Sequence, residues 1–223
     1  MQLPPTVMTK EDPDSEGHYR NRQAQDSTMP ALEFFRSSRW PIYRLRTQLR
    51  MAKGLFDTCH REVYSDVPFN YGTQSALANH TIEINLEGYL KGRFPRLAPP
   101  AAGSLSEVFV HCEGTVCIVD EVTHSKRNPD QVANALDFLA DMVKVARINT
   151  ADIAIITPYA ANVALVNRLR EKPEYEILAA MPPAATVDSF QGREADIMVV
   201  IMGTTEEVSP RFTTDQNRLS DLI

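Results

Sequence analysis

The stretch Thr186-Val-Asp-Ser-Phe-Gln-Gly-Arg-Glu194, followed closely by Ile197-Met-Val-Val-Ile-Met202, carries more information than any other part of this chain. The second segment is apolar enough to form a buried strand, and the first is a polar loop that leads into it. Hydroxyls in this loop could grip a phosphate backbone, while Gln191 and Glu194 could turn toward a nucleotide. A polar loop before a buried strand also has a purely structural explanation, so the motif needs support from elsewhere in the chain.

Strand and helix patterns alternate over the second half of the chain. Buried strands are predicted at 108–110, 115–119, 153–156 and 197–202, and helices at 131–147 and 162–171. Asn128 and Pro129 mark the entry to the first of these helices, because asparagine caps open amides and proline suits the first helical position. Gln131 lies where a capping-box side chain would reach back. The alternation predicts an α/β fold with a doubly wound, mostly parallel sheet that is covered on both faces.

The first half of the chain has weaker patterns. Residues 1–30 are rich in proline and polar side chains and have almost no apolar periodicity, which predicts a disordered tail before a single domain over 31–223. Helical spacing from Leu49 to Val63 places Arg50 near the start of an amphipathic helix. A short strand is predicted at 81–85 from alternating polar and apolar residues.

The composition is that of an ordinary globular protein, 43% hydrophobic and 23% charged, with enough length for one substantial core. Three cysteines without a C-x-x-C pair suit a reducing compartment. The polar N-terminus and the lack of an apolar run near about 20 residues argue against secretion and membrane insertion. We therefore expect an intracellular protein, cytoplasmic or nuclear, with no membrane partner. Four residues have zinc-capable side chains but match no common zinc spacing, so no metal site is predicted: His111, Cys112, Cys117 and His124.

The formal net charge of −6 argues against a nucleic acid gripped over the whole surface. Local clustering points the other way, because seven basic residues lie between Arg36 and Arg61 and only Asp57 opposes them. Such a run is either a binding face or a solvated one, and the sequence leaves both open.

Five segments resemble, in family order, the motifs of superfamily 1 helicases, in the branch that contains the nonsense-mediated-decay RNA helicase and the Okazaki-fragment helicase-nuclease. They are Thr47-Gln-Leu-Arg-Met51, Ser125-Lys-Arg-Asn128, the strand that ends in Thr157-Pro-Tyr159, the loop from Thr186 to Glu194, and Asp215-Gln-Asn-Arg-Leu219. The resemblance covers roughly residues 31 to 223 and implies a RecA-like fold of the P-loop NTPase type, as the second of two such domains. Leu49, Asn162 and Asn217 depart from the family pattern, and the printed chain ends before the last motif is complete.

The resemblance also implies roles for individual residues. Arg50 would be the arginine finger that stabilises the γ-phosphate of ATP during phosphoryl transfer. The other nucleotide-binding residues would be Gln48, Gly192, Glu194 and Arg218, with Glu194 at the ribose. The nucleic-acid contacts would come from Thr157, Pro158, Thr186 and Ser189, whereas Tyr159 is expected to pack. ATP and Mg²⁺ would be shared with a first RecA-like domain, in cis or in trans, and the other partner would be single-stranded RNA or DNA.

A motor ATPase needs a Gly-rich phosphate loop that ends in Gly-Lys-Ser/Thr, and the 223 residues contain none. Asp120 and Glu121 follow an apolar run in the form of a magnesium-binding motif, but without such a loop we interpret them as polar residues at a strand end. The leading interpretation is therefore half of a helicase motor that is inactive alone. The alternatives are a non-catalytic interaction module or degenerate helicase remnant and, more distantly, a metabolic enzyme with a doubly wound sheet, which the lack of G-x-G-x-x-G disfavours.

Overall fold

A computed structural model describes Ser15, Glu16, His18 and residues 29–208, and the chain divides into two compact units, Met1–Leu45 and Arg46–Ile223. Most of the tail predicted for 1–30 and all of the final motif lie outside the described residues. The elements, in chain order, are α1 (Ala31–Ser37), β1 (Thr47–Gln48), α2 (Asp57–Val63), β2 (Asn70–Tyr71), α3 (Thr81–Arg93), β3 (Ile118–Val119), β4 (Lys126–Arg127), α4 (Pro129–Ala146), β5 (Ile153–Thr157), α5 (Ala160–Arg170), β6 (Ala185–Thr186), α6 (Val187–Phe190) and β7 (Ile197–Val200). Short 3₁₀ turns occupy Thr73–Ser75, Leu77–Asn79, Thr150–Asp152 and Pro173–Leu178.

In the first unit, α1 buries none of its residues, and Phe34, Phe35 and Trp40 are all exposed. The Phe35 ring meets the rings of Phe34 and Trp40 edge to face at 5.8 and 5.7 Å.

The second unit is built on a parallel sheet with the strand order β6, β5, β7. All five residues of β5 are buried, which is the pattern expected of a central strand with both faces covered. Alternation along β5 sends Ile153 and Ile155 into the larger of two apolar clusters, and Ala154 and Ile156 into the smaller one. The predicted α/β fold with a mostly parallel, doubly covered sheet is confirmed.

Helix α4 provides most of the larger cluster. Its stripe of apolar residues is fully buried at Val132, Leu136 and Leu139. Asn128 caps the helix as predicted, since its side chain accepts a hydrogen bond from the Gln131 amide. The helix ends at Ala146, where Arg147 adopts a left-handed conformation with φ of 53°. Helices α3 and α5 pack against α4.

Three predictions of local structure need correction. Residues 81–85 start helix α3 instead of forming a strand, because Tyr89 and Leu90 further along the same helix are buried in the core. The helix predicted from Leu49 begins only at Asp57, as α2, because Gly54 interrupts the helical conformation with φ of 104°, and Arg50 therefore lies outside it. Residues 108–110 lie in no strand, and of 115–119 only Ile118–Val119 does, paired antiparallel with β4.

Within the described part of the chain, no helix combines the length and the apolar character that a membrane span needs.

Candidate functional site

The carboxyl ends of the parallel strands meet at one edge of the sheet, which is where ligands bind in open α/β folds. Thr157 at the end of β5 lies in register with Thr186 at the end of β6. The backbone therefore brings together the two threonines that the sequence assigned to nucleic-acid contacts.

Thr157 itself is fully buried, and its hydroxyl oxygen accepts a hydrogen bond from Asn162 Nδ2 at 3.0 Å. Pro158 is also buried. The expectation that these two residues touch a phosphate therefore gains no support from the geometry, because neither is accessible. Tyr159 is only 7% exposed, which agrees with the prediction that it packs.

Thr186 and Ser189 are more accessible, and they cap helix α6 together. The Thr186 hydroxyl accepts a hydrogen bond from the Ser189 amide at 3.2 Å, and the Ser189 hydroxyl accepts one from the Thr186 amide at 2.9 Å. This reciprocal arrangement is a capping box, which satisfies the open amides of a helix start. Both hydroxyls thus have a structural task, and any contact with a phosphate would be added to it.

Arg50 lies in a bend directly after β1 and not on a helix. The Gln48 side chain shapes this bend, because its Oε1 accepts hydrogen bonds from the backbone amides of Arg50 and Met51 at 2.8 and 3.4 Å. Gln48, which the sequence assigned to the nucleotide, therefore uses its oxygen to position the backbone of Arg50.

The Arg50 side chain reaches the loop that follows α6. Its Nη2 atom lies 3.2 Å from Glu194 Oε1 and donates a hydrogen bond to the carbonyl oxygen of Arg193 at 3.2 Å. Arg50 and Arg193 are 143 positions apart in the sequence. The two nucleotide-facing candidates thus converge, as the sequence led us to expect, although Arg50 follows β1, which belongs to a separate two-stranded sheet.

The backbone of this loop is held by its own residues. Gly192 adopts φ of 81°, a conformation that a side chain would disfavour, and it turns the chain after α6. The Arg193 guanidinium lies over the Phe190 ring at 5.0 Å, and the Arg193 amide donates to the Phe190 carbonyl. The loop therefore presents the Arg193 carbonyl and the Glu194 carboxylate on a fixed turn.

A network of buried amide side chains supports the same edge of the sheet. Asn162 Oδ1 accepts from the Asn128 backbone amide at 3.2 Å, while Asn128 Nδ2 donates to the Thr115 hydroxyl at 3.0 Å. The Ser125 hydroxyl accepts from the Ala161 amide at 3.0 Å. Ser125 and Asn128 of the helicase-like motif are therefore tied to the start of α5, a connection that their sequence spacing did not reveal.

Gln131 joins this network instead of completing a capping box. Its Oε1 accepts from the Gly203 amide at 2.9 Å, and its Nε2 donates to the Thr204 carbonyl at 2.7 Å. The prediction that Gln131 reaches back to its own helix start is wrong, because the chain that leaves β7 takes both of its hydrogen-bonding groups. The sequence carries no signal for this contact, because Gly203 and Thr204 lie 72 and 73 positions further along the chain.

Asp120 has a local structural role. Hydrogen bonds from the amide and hydroxyl of Thr123 hold the pKa of the Asp120 carboxyl below its usual value. This turn joins β3 to β4, which agrees with a polar residue at a strand end. Burial raises the pKa of the Cys117 thiol, the opposite of what metal binding would favour. Among the residues that the structure describes, no group of three His, Cys, Asp or Glu side chains could hold a metal ion.

The basic cluster of residues 36–61 is partly neutralised. Arg36 lies 3.5 Å from Glu33 within the first unit, and Arg61 lies 2.8 Å from Glu62 within the second. Arg218 and the rest of the last motif lie outside the described residues.

Comparison with known proteins identifies the family of the chain. The family model described as an AAA domain matches residues 29–220. No curated protein matches the chain.

Proposed function

Because this chain belongs to the AAA domain family, as the C-terminal RecA-like domain of superfamily 1 helicases similar to the nonsense-mediated-decay helicase, we propose that it is the second half of an ATP-dependent RNA or DNA helicase motor. In this proposal, the chain supplies Arg50 as the arginine finger. A first RecA-like domain, in cis or in trans, supplies the phosphate loop and shares ATP and Mg²⁺ across the cleft.

The observation that carries the proposal is the meeting of Arg50 with Glu194 on an accessible surface. The side chains of Arg50 and Glu194 are 60% and 72% exposed. A guanidinium is planar and always charged, so it can stabilise the negative charge that develops on a transferring phosphoryl group. Nothing in the core requires this arginine, because its partners are an exposed carboxylate and a loop carbonyl.

Nucleic acid would contact the same domain at the carboxyl edge of the sheet. Thr186 and Ser189 carry accessible hydroxyls there, in addition to the capping hydrogen bonds that they already make. Contacts of this kind position a phosphate backbone without discriminating between bases. The proposal therefore covers single-stranded RNA and DNA alike.

The test is ATP hydrolysis with the two halves supplied separately. The chain is mixed with a purified first RecA-like helicase domain, Mg²⁺, ATP and a single-stranded oligonucleotide. We expect no turnover by the chain alone, stimulated turnover in the mixture, and a loss of about a thousandfold on Arg50→Ala, the usual effect of removing an arginine finger. Arg61→Ala is the matched control, because Arg61 is exposed and forms an ion pair with its neighbour Glu62.

Three results would contradict the proposal. Stimulated turnover that survives Arg50→Ala would remove the finger role. Turnover by the chain alone that disappears on Glu121→Gln would make Asp120 and Glu121 a true magnesium motif. Binding to the first domain without any stimulation would favour an interaction module.

A further inference from the structure

Both contacts of the Arg50 guanidinium with the loop after α6 use the same nitrogen. Nη2 donates a hydrogen bond to the Arg193 carbonyl oxygen at 3.2 Å and forms an ion pair with the Glu194 carboxylate at 3.2 Å. An arginine presents five N–H donors in a rigid plane. In this arrangement both contacts with the loop fall on one nitrogen of that plane.

This choice of nitrogen matters for the recognition of phosphate. A guanidinium grips two oxygens of a phosphate through parallel N–H pairs, either Nε with Nη2 or Nη1 with Nη2. Each pair includes Nη2. While Arg50 is docked on the loop, Nη2 already contacts the Arg193 carbonyl and the Glu194 carboxylate, so a phosphate that used either pair would have to displace the Arg193 hydrogen bond or approach the negative charge of Glu194.

The role proposed for Glu194 also requires the ion pair with Arg50 to open when a nucleotide binds. In a nucleoside triphosphate, the ribose hydroxyls and the terminal phosphate are separated by the intervening phosphates. A carboxylate that receives the ribose and a guanidinium that receives the terminal phosphate cannot then remain 3.2 Å apart. The docked pair and the engaged pair are different states of the same two side chains.

We propose that the Arg50–Glu194 pair is a latch that keeps the arginine from gripping phosphate until a polyphosphate ligand, such as the triphosphate of a nucleotide, opens it. The inference rests on the proposed function, since it assigns a resting state to the same finger. Gly192 and the stacking of Arg193 on Phe190 keep the docking carbonyl in place, so the latch can close again when the ligand leaves.

The latch is easy to open. Both side chains are more than half exposed, and ion pairs of this kind contribute little because water and salt screen them. Releasing Arg50 should accordingly raise the affinity for phosphate by only about two- to fivefold. A latch of this strength lowers the occupancy of the phosphate site without preventing the ligand from binding.

The experiment measures the binding of inorganic tripolyphosphate, which has no ribose, to the full chain by calorimetry at low salt. Glu194→Gln removes the charge that holds Arg50, and we expect it to raise the affinity two- to fivefold. Asp196→Asn is the matched control, because Asp196 is exposed, lies two positions away and changes the net charge equally. We expect it to change the affinity by less than half as much, and the gain to vanish in Arg50→Gln with Glu194→Gln.

The outcomes separate the latch from the proposed function. Equal gains in Glu194→Gln and Asp196→Asn, or a gain that persists without Arg50, would show general electrostatics and overturn the latch. If Glu194→Gln changes nothing while Arg50→Gln weakens binding, the phosphate site stands and the latch does not. If no variant binds tripolyphosphate, Arg50 has no grip on phosphate for Glu194 to restrain, which overturns the latch, whereas the proposed function is still decided by the hydrolysis test with both halves.

A second measurement does not depend on affinity. In ¹⁵N spectra of the arginine guanidinium groups, the Nη2 protons of docked Arg50 should rotate slowly and resolve from those of Nη1. We expect Glu194→Gln to average them, and saturating tripolyphosphate to change the wild-type signals. Identical Arg50 signals in the wild type and in Glu194→Gln would overturn the latch.

Discussion

At the scale of single residues, Asn162 is the most consequential polar side chain of the sheet edge. It is fully buried, accepts from the Asn128 amide and donates to the Thr157 hydroxyl. Both neighbours are themselves fully buried, so no water can replace Asn162. A side-chain carbon added at Gly203 would lie 3.0 Å from Asn162 Nδ2, so Asn162 also limits the space beside this glycine.

Replacing Asn162 with leucine should orphan both partners. Each unsatisfied buried group costs about 1–3 kcal/mol, so we expect the free energy of unfolding in urea to fall by about 2–5 kcal/mol. Asn134→Leu is the matched control on α4, where the side chain is exposed and the change should stay within about 0.5 kcal/mol. Equal losses in the two variants would mean that the network is not what makes Asn162 important.

Two glycines provide an opposed pair of predictions. A side-chain carbon at Gly54 would lie 2.1 Å from the Leu105 carbonyl oxygen, at φ of 104°. Gly54→Ala should therefore destabilise the fold by about 2–4 kcal/mol through strain and overpacking. Gly88 lies inside α3, and a side-chain carbon added there would have no neighbour within 4 Å beyond the backbone of its own helix. Gly88→Ala should therefore stabilise the fold by about 0.5–1 kcal/mol. Urea unfolding of both variants measures whether the free energy of unfolding falls or rises. A loss of stability in Gly88→Ala would contradict the position of Gly88 on an open face of helix α3.

At the scale of elements, α4 is joined to neighbouring elements by hydrogen bonds from tyrosine hydroxyls to its carboxylates. Tyr89 on α3 donates to Asp141 at 2.6 Å, and Tyr175 donates to Asp137 at 2.8 Å. Burial, and then the bond to the carboxylate, raises the pKa of each tyrosine to about 12. Tyr71, bonded to Asp57, is raised to about 12 in the same way.

These shifts predict a loss of stability in base. A pKa raised on folding means that the unfolded chain releases protons first, so the stabilisation is complete below the unfolded pKa of about 10 and is lost as pH rises toward 12. Unfolding free energies measured between pH 9 and 11.5 should fall steadily. In Tyr89→Phe with Tyr175→Phe, the part due to these two phenols should be lost, and the part due to Tyr71, Tyr159 and Cys117, whose pKa values are also raised, should remain. An unchanged pH dependence in that double variant would contradict the phenol–carboxylate pairs.

The elements also show what the sequence could and could not predict. Strand β5 and helix α4 were predictable because each carries a complete apolar pattern of one period, and Asn128 with Pro129 signals the helix start locally. Helix α3 was missed because five alternating residues suit a strand, while the buried contacts that decide for a helix lie further on, at Tyr89 and Leu90. The bend at Arg50 depends on Gln48 and Gly54, whose conformations follow from tertiary contacts that the sequence does not display.

The candidate site, too, was predictable from the sequence only in part. Motif order was enough to predict that Arg50 and Glu194 meet, because members of a fold family share the arrangement of their motifs. It did not predict that Thr157 is buried under Asn162, or that Gln131 holds the chain after β7. Those details depend on which side chains fill the edge of the sheet, and Asn162, one of the departures from the family pattern, is among them.

At the scale of the whole molecule, charge limits how nucleic acid can bind. The net charge of −6 opposes a polyanion, so attraction must come from local positive surface. Arg36, Arg50 and Arg61 all have acidic neighbours within 4 Å, which weakens this surface further. The domain alone should therefore contact few phosphates.

This balance predicts weak, strongly salt-dependent binding of single-stranded oligonucleotides with no preference of sequence. Each neutralised phosphate contributes a slope of about −0.7 in a plot of log affinity against log salt, so a few contacts should give a slope between about −1 and −2. Arg39→Gln, in the basic cluster, should reduce the slope by up to about 0.7, while Lys144→Gln on the exposed face of α4 should leave it unchanged.

Fluorescence anisotropy between 20 and 200 mM salt, at about the ionic strengths where screening changes most, measures the slope. Salt-insensitive binding would mean that stacking on exposed aromatic rings dominates, and no binding at low salt would leave the domain without a nucleic-acid surface of its own.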